Sequence, residues 1–113
     1  CIVNITDIHS ERPLPGYVIY SIAKAGLVGL TRSLAIELGP NVRVNAIAPG
    51  PILWPEAITD FDDASRQRII SQTVLARVGD PHDVALAAEF LIVGAPYTTG
   101  QVIAVDGGRS INF

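Results

Sequence analysis

The order of apolar patterns along the chain constrains its fold more than any other feature. Cys1-Ile-Val-Asn-Ile-Thr6 is an apolar, β-branched run that predicts a buried strand. From Tyr17 to about Leu38 the pattern turns helical: Ile22, Leu27, Leu30, Leu34 and Leu38 recur at helical spacing, and Gly39-Pro40 supplies the stop. Ser21, Ala25, Gly26 and Gly29 put small side chains on another part of that helix, where a second helix can approach closely, within the core or across a subunit interface. Asn41 to Ala48 alternates Val42, Val44 and Ala46 and is closed by Pro49-Gly50, which predicts a second strand. Ala64 to about Thr73 predicts a short helix. Asp80-Pro81 reads as the cap and first turn of another, running through Val84, Ala88 and Leu91 and ended by Gly94 and Pro96. Gln101 to Val105 predicts a third strand. Strand, long helix, strand, helices, strand is the order of an α/β chain with a parallel sheet covered on both faces. Ligands collect at the carboxy ends of such strands, which directs attention to the residues after Thr6, Ala48 and Val105.

Two stretches fit no regular element. Asp7 to Pro15 is polar and proline-bearing, a loop. Pro51 to Asp63 holds Trp54, two prolines and three aspartates and reads as a long loop of the kind that carries function.

Composition narrows the partners. With 113 residues, 49% of them hydrophobic, the chain is expected to build one core. Its net charge is −3 and its basic residues are scattered, so no stripe exists to neutralise a run of phosphates and nucleic acid is not an expected partner. The most apolar stretch, Val84 to Val93, is interrupted by Glu89 and falls short of the roughly 20 residues of a membrane span, so neither a membrane nor a signal peptide is expected. The single cysteine, Cys1, allows no internal disulfide, is expected to be buried and inert, and points to a reducing, cytoplasmic setting. The chain contains no Met and starts directly on a strand, as a piece of a longer polypeptide would.

Tyr20 and Lys24, the only lysine, are four residues apart on the long helix, so their side chains share a face. A phenol with a pKa near ~10 exchanges protons poorly at neutral pH unless a nearby ammonium stabilises the phenolate, so such a pair is an acid/base device. A surface cation beside a half-buried aromatic is the plainer reading of the same spacing. His9 and His82 are far apart in the chain, and no metal site is proposed.

Tyr20-Ser-Ile-Ala-Lys24 resembles the Y-x-x-x-K signature of the short-chain dehydrogenases/reductases. Val42-Arg-Val-Asn-Ala-Ile-Ala-Pro-Gly50 is similar to that family's strand and turn, and Thr99-Gly-Gln-Val-Ile-Ala-Val-Asp-Gly-Gly108 to its last strand. The resemblance spans nearly the whole chain. It implies the carboxy-terminal half of a doubly wound, parallel-sheet Rossmann fold, and a hydride passing between a nicotinamide and the substrate while Tyr20 handles the proton. Lys24 would lower the Tyr20 pKa and bind the nicotinamide ribose. Pro49 and Gly50 would lie beside the nicotinamide, and the Ile52 N–H would meet its carboxamide. Without that motif, Pro49-Gly50 is an ordinary turn.

The family usually places a serine about thirteen residues before the tyrosine, where this chain has Asp7. Thr6-Asp-Ile-His9 and Ile52-Leu-Trp-Pro-Glu56 resemble the bacterial pteridine reductases. This implies NADP(H)-dependent reduction of a pterin, with Asp7 and Tyr20 as the proton-handling pair and Trp54 as a substrate or lid residue. A capping role for Asp7 within the loop is the simpler alternative, and for Trp54 an anchor that holds the loop down. The glycine-rich turn that binds pyrophosphate is absent: Gly107-Gly108 lacks a third glycine and a following helix. An amino-terminal half supplying that turn, and assembly as a homodimer or homotetramer, are further implications. Another short-chain reductase, acting on a ketone, sugar or 3-oxoacyl thioester, and a truncated subunit that only packs against partners, are the rival readings.

Overall fold

The computed structural model describes residues 1–52 and 62–112. Strand β1 (Ile2–Ile5) leads through a short 3-10 turn at Ile8–Ser10 to helix α1 (Val18–Leu38) and strand β2 (Val44–Pro49). Helices α2 (Asp63–Ser71) and α3 (Pro81–Glu89) follow, then a π-helical turn at Phe90–Gly94, strand β3 (Val102–Val105) and a 3-10 turn at Arg109–Ile111.

All three strands are parallel, in the order β1-β2-β3, with Asn4 opposite Ala46 and Ala46 opposite Val102. Because strand side chains alternate between faces, two bonds reveal how the sheet is covered. Asn4 Nδ2 donates to Thr31 Oγ1 of α1 (3.0 Å), whereas Cys1, an odd number of residues away, directs Sγ at the Leu91 carbonyl (3.8 Å). Helix α1 and the extension of α3 therefore cover opposite faces, as expected of a doubly wound α/β sheet. Strand β2 is central, and its Val44, Asn45, Ala46 and Ile47 are fully buried. Asn45 is tolerated there because both ends of its amide are bonded: Nδ2 donates to the Thr98 carbonyl (2.9 Å) and Oδ1 accepts from the Gln101 N–H (3.0 Å).

Helix α1 spans the expected residues. Its buried positions are Ser21, Val28, Thr31 and Ala35, while Ile22 (66% exposed) and Leu30 (48%) face outward. This helix is apolar nearly all round, so spacing alone does not single out the side that packs. Of the small residues on α1, Ser21 is buried while Ala25, Gly26 and Gly29 are exposed, and a Cβ added at either glycine would meet nothing within 4 Å. By length (21 residues) and by the mean hydropathy of its most apolar 18 residues (1.2), α1 rather than Val84–Val93 would qualify as a membrane span. Here it lies against β2.

Boundaries elsewhere shift by a few residues. Strand β2 starts at Val44 because the N–H groups of Asn41 and Val42 fold back onto the Leu38 carbonyl. Helix α3 begins at the expected Asp80-Pro81 signal, with a capping box in which Asp80 and Asp83 bond each other's backbone N–H. Cys1, expected to be buried, is exposed. It stands at the start of the sheet's outer strand, which has β2 on one side and, among the described residues, no strand on the other.

Candidate active site

Parallel strands place their carboxy ends together, so Asp7, Pro49-Gly50 and Asp106 lie along one rim of the sheet. The Thr6 N–H and hydroxyl both donate to the Ile47 carbonyl (2.7 and 2.9 Å), which extends β1 to the residue before Asp7. Asp7 is held at one oxygen and used at the other. Oδ1 accepts the His9 N–H (2.7 Å) and caps the 3-10 turn, and Oδ2 accepts the Tyr20 hydroxyl proton (2.6 Å). The capping role and the proton-handling geometry thus coexist in one side chain.

Tyr20 sits in the first turn of α1 and is 41% exposed, so its hydroxyl is reachable. Lys24, one turn on, donates from Nζ to the Ile5 carbonyl (3.1 Å) and lies 5.7 Å from the centroid of the Tyr20 ring. The expected lowering of the Tyr20 pKa by Lys24 is not what this arrangement gives. Burial, the hydrogen bond to Asp7 and the Asp7 charge push it up to about 12. Lys24 spends one of its three donors on Ile5. The remaining two stand beside the exposed phenol.

Pro49 ends β2 and Gly50 donates its N–H to the Val105 carbonyl (3.0 Å). The glycine has a packing cause. A Cβ at position 50 would lie 2.7 Å from Asp106 Cα, so the end of β3 already demands a bare backbone there. Ile52 packs its Cδ1 against Gly79, whose N–H bonds the Pro51 carbonyl (2.9 Å). Trp54 and most of the Pro51–Asp63 loop lie outside the described residues.

Sequence reasoning passes over several residues of this rim. Asp106 accepts the N–H groups of Gly108 (2.8 Å) and Ser110 (2.7 Å); burial raises its pKa, but these bonds outweigh burial and leave it lowered. Gly107 and Gly108, both at positive φ, seat the segment after α2: the Leu75 N–H donates to the Gly107 carbonyl (3.0 Å). Arg12 Nη1 donates to the Ser110 carbonyl (2.5 Å) and ties the loop after β1 to the tail. The Asp106 bonds are local, whereas the Leu75–Gly107 and Arg12–Ser110 contacts join segments far apart in the sequence, which no local pattern announces.

Residues 1–110 match the family model described as enoyl-(acyl carrier protein) reductase. The 3-oxoacyl-[acyl-carrier-protein] reductase FabG of Chlamydia trachomatis is 41% identical over 111 residues, covering 96% of this chain and 44% of that protein. The 7alpha-hydroxysteroid dehydrogenase of Bacteroides fragilis is 38% identical, covering 98% and 44%. Among solved structures, a 4-hydroxyisoleucine dehydrogenase complexed with NADH superposes with a TM-score of 0.91 at 33% identity, covering all of this chain and 48% of that one. The chain spans less than half the length of the relatives it matches.

Proposed function

Since the chain belongs to the short-chain dehydrogenase/reductase family, we propose that it carries the proton-handling side of an NAD(P)H-dependent reductase acting on a ketone, sugar or 3-oxoacyl substrate. The observation that carries this reading is the meeting of Asp7, Tyr20 and Lys24 at the carboxy end of β1. A nicotinamide cofactor held there would supply the hydride that the carbonyl carbon takes up. Tyr20 gives its phenolic proton to the carbonyl oxygen, so that C=O becomes CH–OH, and the phenolate is reprotonated from solvent. A phenol with its pKa raised to about 12 is fully protonated at neutral pH, the form needed for reduction. Lys24 orients the ribose end of the nucleotide, with Pro49, Gly50 and Ile52 alongside. The pyrophosphate turn and the choice between NADP(H) and NAD(H) belong to residues outside this chain. NADP(H), a cytoplasmic setting, homo-oligomeric assembly and Trp54 as a substrate contact remain part of the proposal through the family resemblance.

The names of the relatives favour the ketone or 3-oxoacyl substrate over a pterin. One observation favours the pterin as a second reading: Asp7 stands at the usual serine position and bonds Tyr20, which sets a carboxyl and a phenol side by side where a ring nitrogen would meet them. NADPH consumption by the full-length protein, with an acetoacetyl thioester and a dihydropterin in parallel, separates the two. Turnover of the thioester alone supports the first reading and turnover of the pterin alone the second. No NADPH binding at all would leave a subunit that only packs against partners.

A further inference from the structure

Three segments remote in sequence enclose a cleft of about 280 Å³ at the strand ends: Ile8–Leu14 of the loop after β1, Gln72 at the end of α2, and the Arg109–Asn112 tail. The cleft adjoins the candidate site directly, since the His9 N–H is bonded to Asp7. Ile8, Pro13 and Leu14 give it an apolar side; His9, Arg12, Gln72 and Arg109 give it a polar one, with Arg12 turned to the Ser110 and Asn112 carbonyls. Its volume is at the lower end of ligand pockets, about right for the tail of a substrate.

The half-buried Arg109 gives the cleft its chemistry. Its Nη1 donates to Gln72 Oε1 (3.0 Å) and the Ile69 carbonyl (3.3 Å), both uncharged acceptors. Among the described residues Arg109 makes no ion pair, and neither its Nε nor its Nη2 has an acceptor. Asp106, three residues earlier, has both oxygens engaged by backbone N–H groups. Nε and Nη2 form the guanidinium edge that grips carboxylate or phosphate with two parallel bonds. We propose that this cleft binds an anionic group, carboxylate or phosphate, on the part of the substrate remote from the reacting carbon, with Arg109 as its anchor. The inference rests on the reductase reading, because only a substrate reacting at Tyr20 would reach into the cleft.

Titration calorimetry on the full-length protein saturated with NADPH tests it without turnover. Phosphopantetheine presents a phosphate, p-aminobenzoylglutamate presents carboxylates, and pantetheine is the neutral control. At least one anion should bind about tenfold more tightly than pantetheine. Arg109→Met should abolish that advantage, Arg109→Lys should restore part of it, and pantetheine binding and NADPH affinity should hold in both. A phosphate preference indicates a phosphopantetheine thioester; a carboxylate preference indicates an acidic-tailed substrate. Equal binding of anions and neutral control overturns the proposal, as does undiminished anion binding by a folded Arg109→Met protein. Arg109-dependent anion binding without reduction of any carbonyl or pterin would keep the cleft as an anion site and discard the reductase reading.

Discussion

Tyr20 has a reachable hydroxyl and one strong partner, so its two possible roles respond differently to substitution. Removing the hydroxyl in Tyr20→Phe costs a hydrogen bond at an exposed position. The fold should therefore survive, with a melting temperature within a few degrees of the parent, while turnover in the full-length protein should fall by about 10²–10⁴-fold. Near-normal rates would remove Tyr20 from the mechanism. The second residue-scale prediction concerns Asp7. Burial, its hydrogen bond and its charge raise the Tyr20 pKa to about 12. The phenol thus stays protonated through neutral pH, and the phenolate that would accept a proton in the reverse, alcohol-oxidising direction appears only in strong base. Asp7→Ser removes the last two causes and leaves burial, so the pH at which oxidation turns on should fall by about one unit. Superimposable pH profiles for the two proteins would show that Asp7 does not govern Tyr20. The sequence makes this pair legible through spacing and motif, but not the sign of the shift. That sign comes first from burial, which only the fold decides, and then from Asp7, which the fold puts at 2.6 Å from the phenol oxygen while Lys24 turns to the Ile5 carbonyl.

At the level of elements, strands and caps are readable because their causes are local: β-branched runs give β1, β2 and β3, and Asp80-Pro81 gives the start of α3. The buried side of α1 is not readable. The helix is apolar nearly all round, and only the fold decides that Ser21, Thr31 and Ala35 go inward and Ile22 outward. The junction between β2 and β3 is likewise tertiary, and it yields two stability predictions for the full-length protein. Gly50→Ala would bring a Cβ to 2.7 Å from the Asp106 backbone, which only a main-chain shift relieves. A loss of about 1–3 kcal/mol is expected, together with weakened cofactor binding as the rim moves. Asn45→Ala removes the acceptor of the Gln101 N–H and the shorter of two bonds to the Thr98 carbonyl, which keeps Arg43 Nη1 at 3.3 Å. It should cost about 1–3 kcal/mol with no change in KM, since Asn45 sits within the central strand and bonds none of Asp7, Tyr20 and Lys24. Urea unfolding measures both, and unchanged midpoints would contradict the packing argument.

For the molecule as a whole, the sheet's middle is complete and its outside is not. A compact monomer of 12.0 kDa is expected to expose roughly 6,000 Å², whereas this chain exposes 7388 Å². Among the described residues, large apolar side chains stand exposed on few elements: Ile19 is 85% exposed and Ile36 83% on α1, and Val93 is 74% exposed in the turn after α3. Strand β1 also carries Ile5 at 46% exposure on the sheet's outer edge, where unpaired backbone groups invite another strand. Composition could not reveal this, because an apolar residue counts the same whether its neighbours cover it or not. Surfaces of this kind are stable in water only when something covers them. The 113-residue chain produced alone should therefore self-associate at micromolar concentration and enhance the fluorescence of a hydrophobic dye. Both effects should vanish when it is co-expressed with the segment that pairs with β1 and packs on α1. Sedimentation velocity decides the matter: a monodisperse monomer without dye binding would mean that these faces tolerate solvent and that the chain's fold needs no such complement.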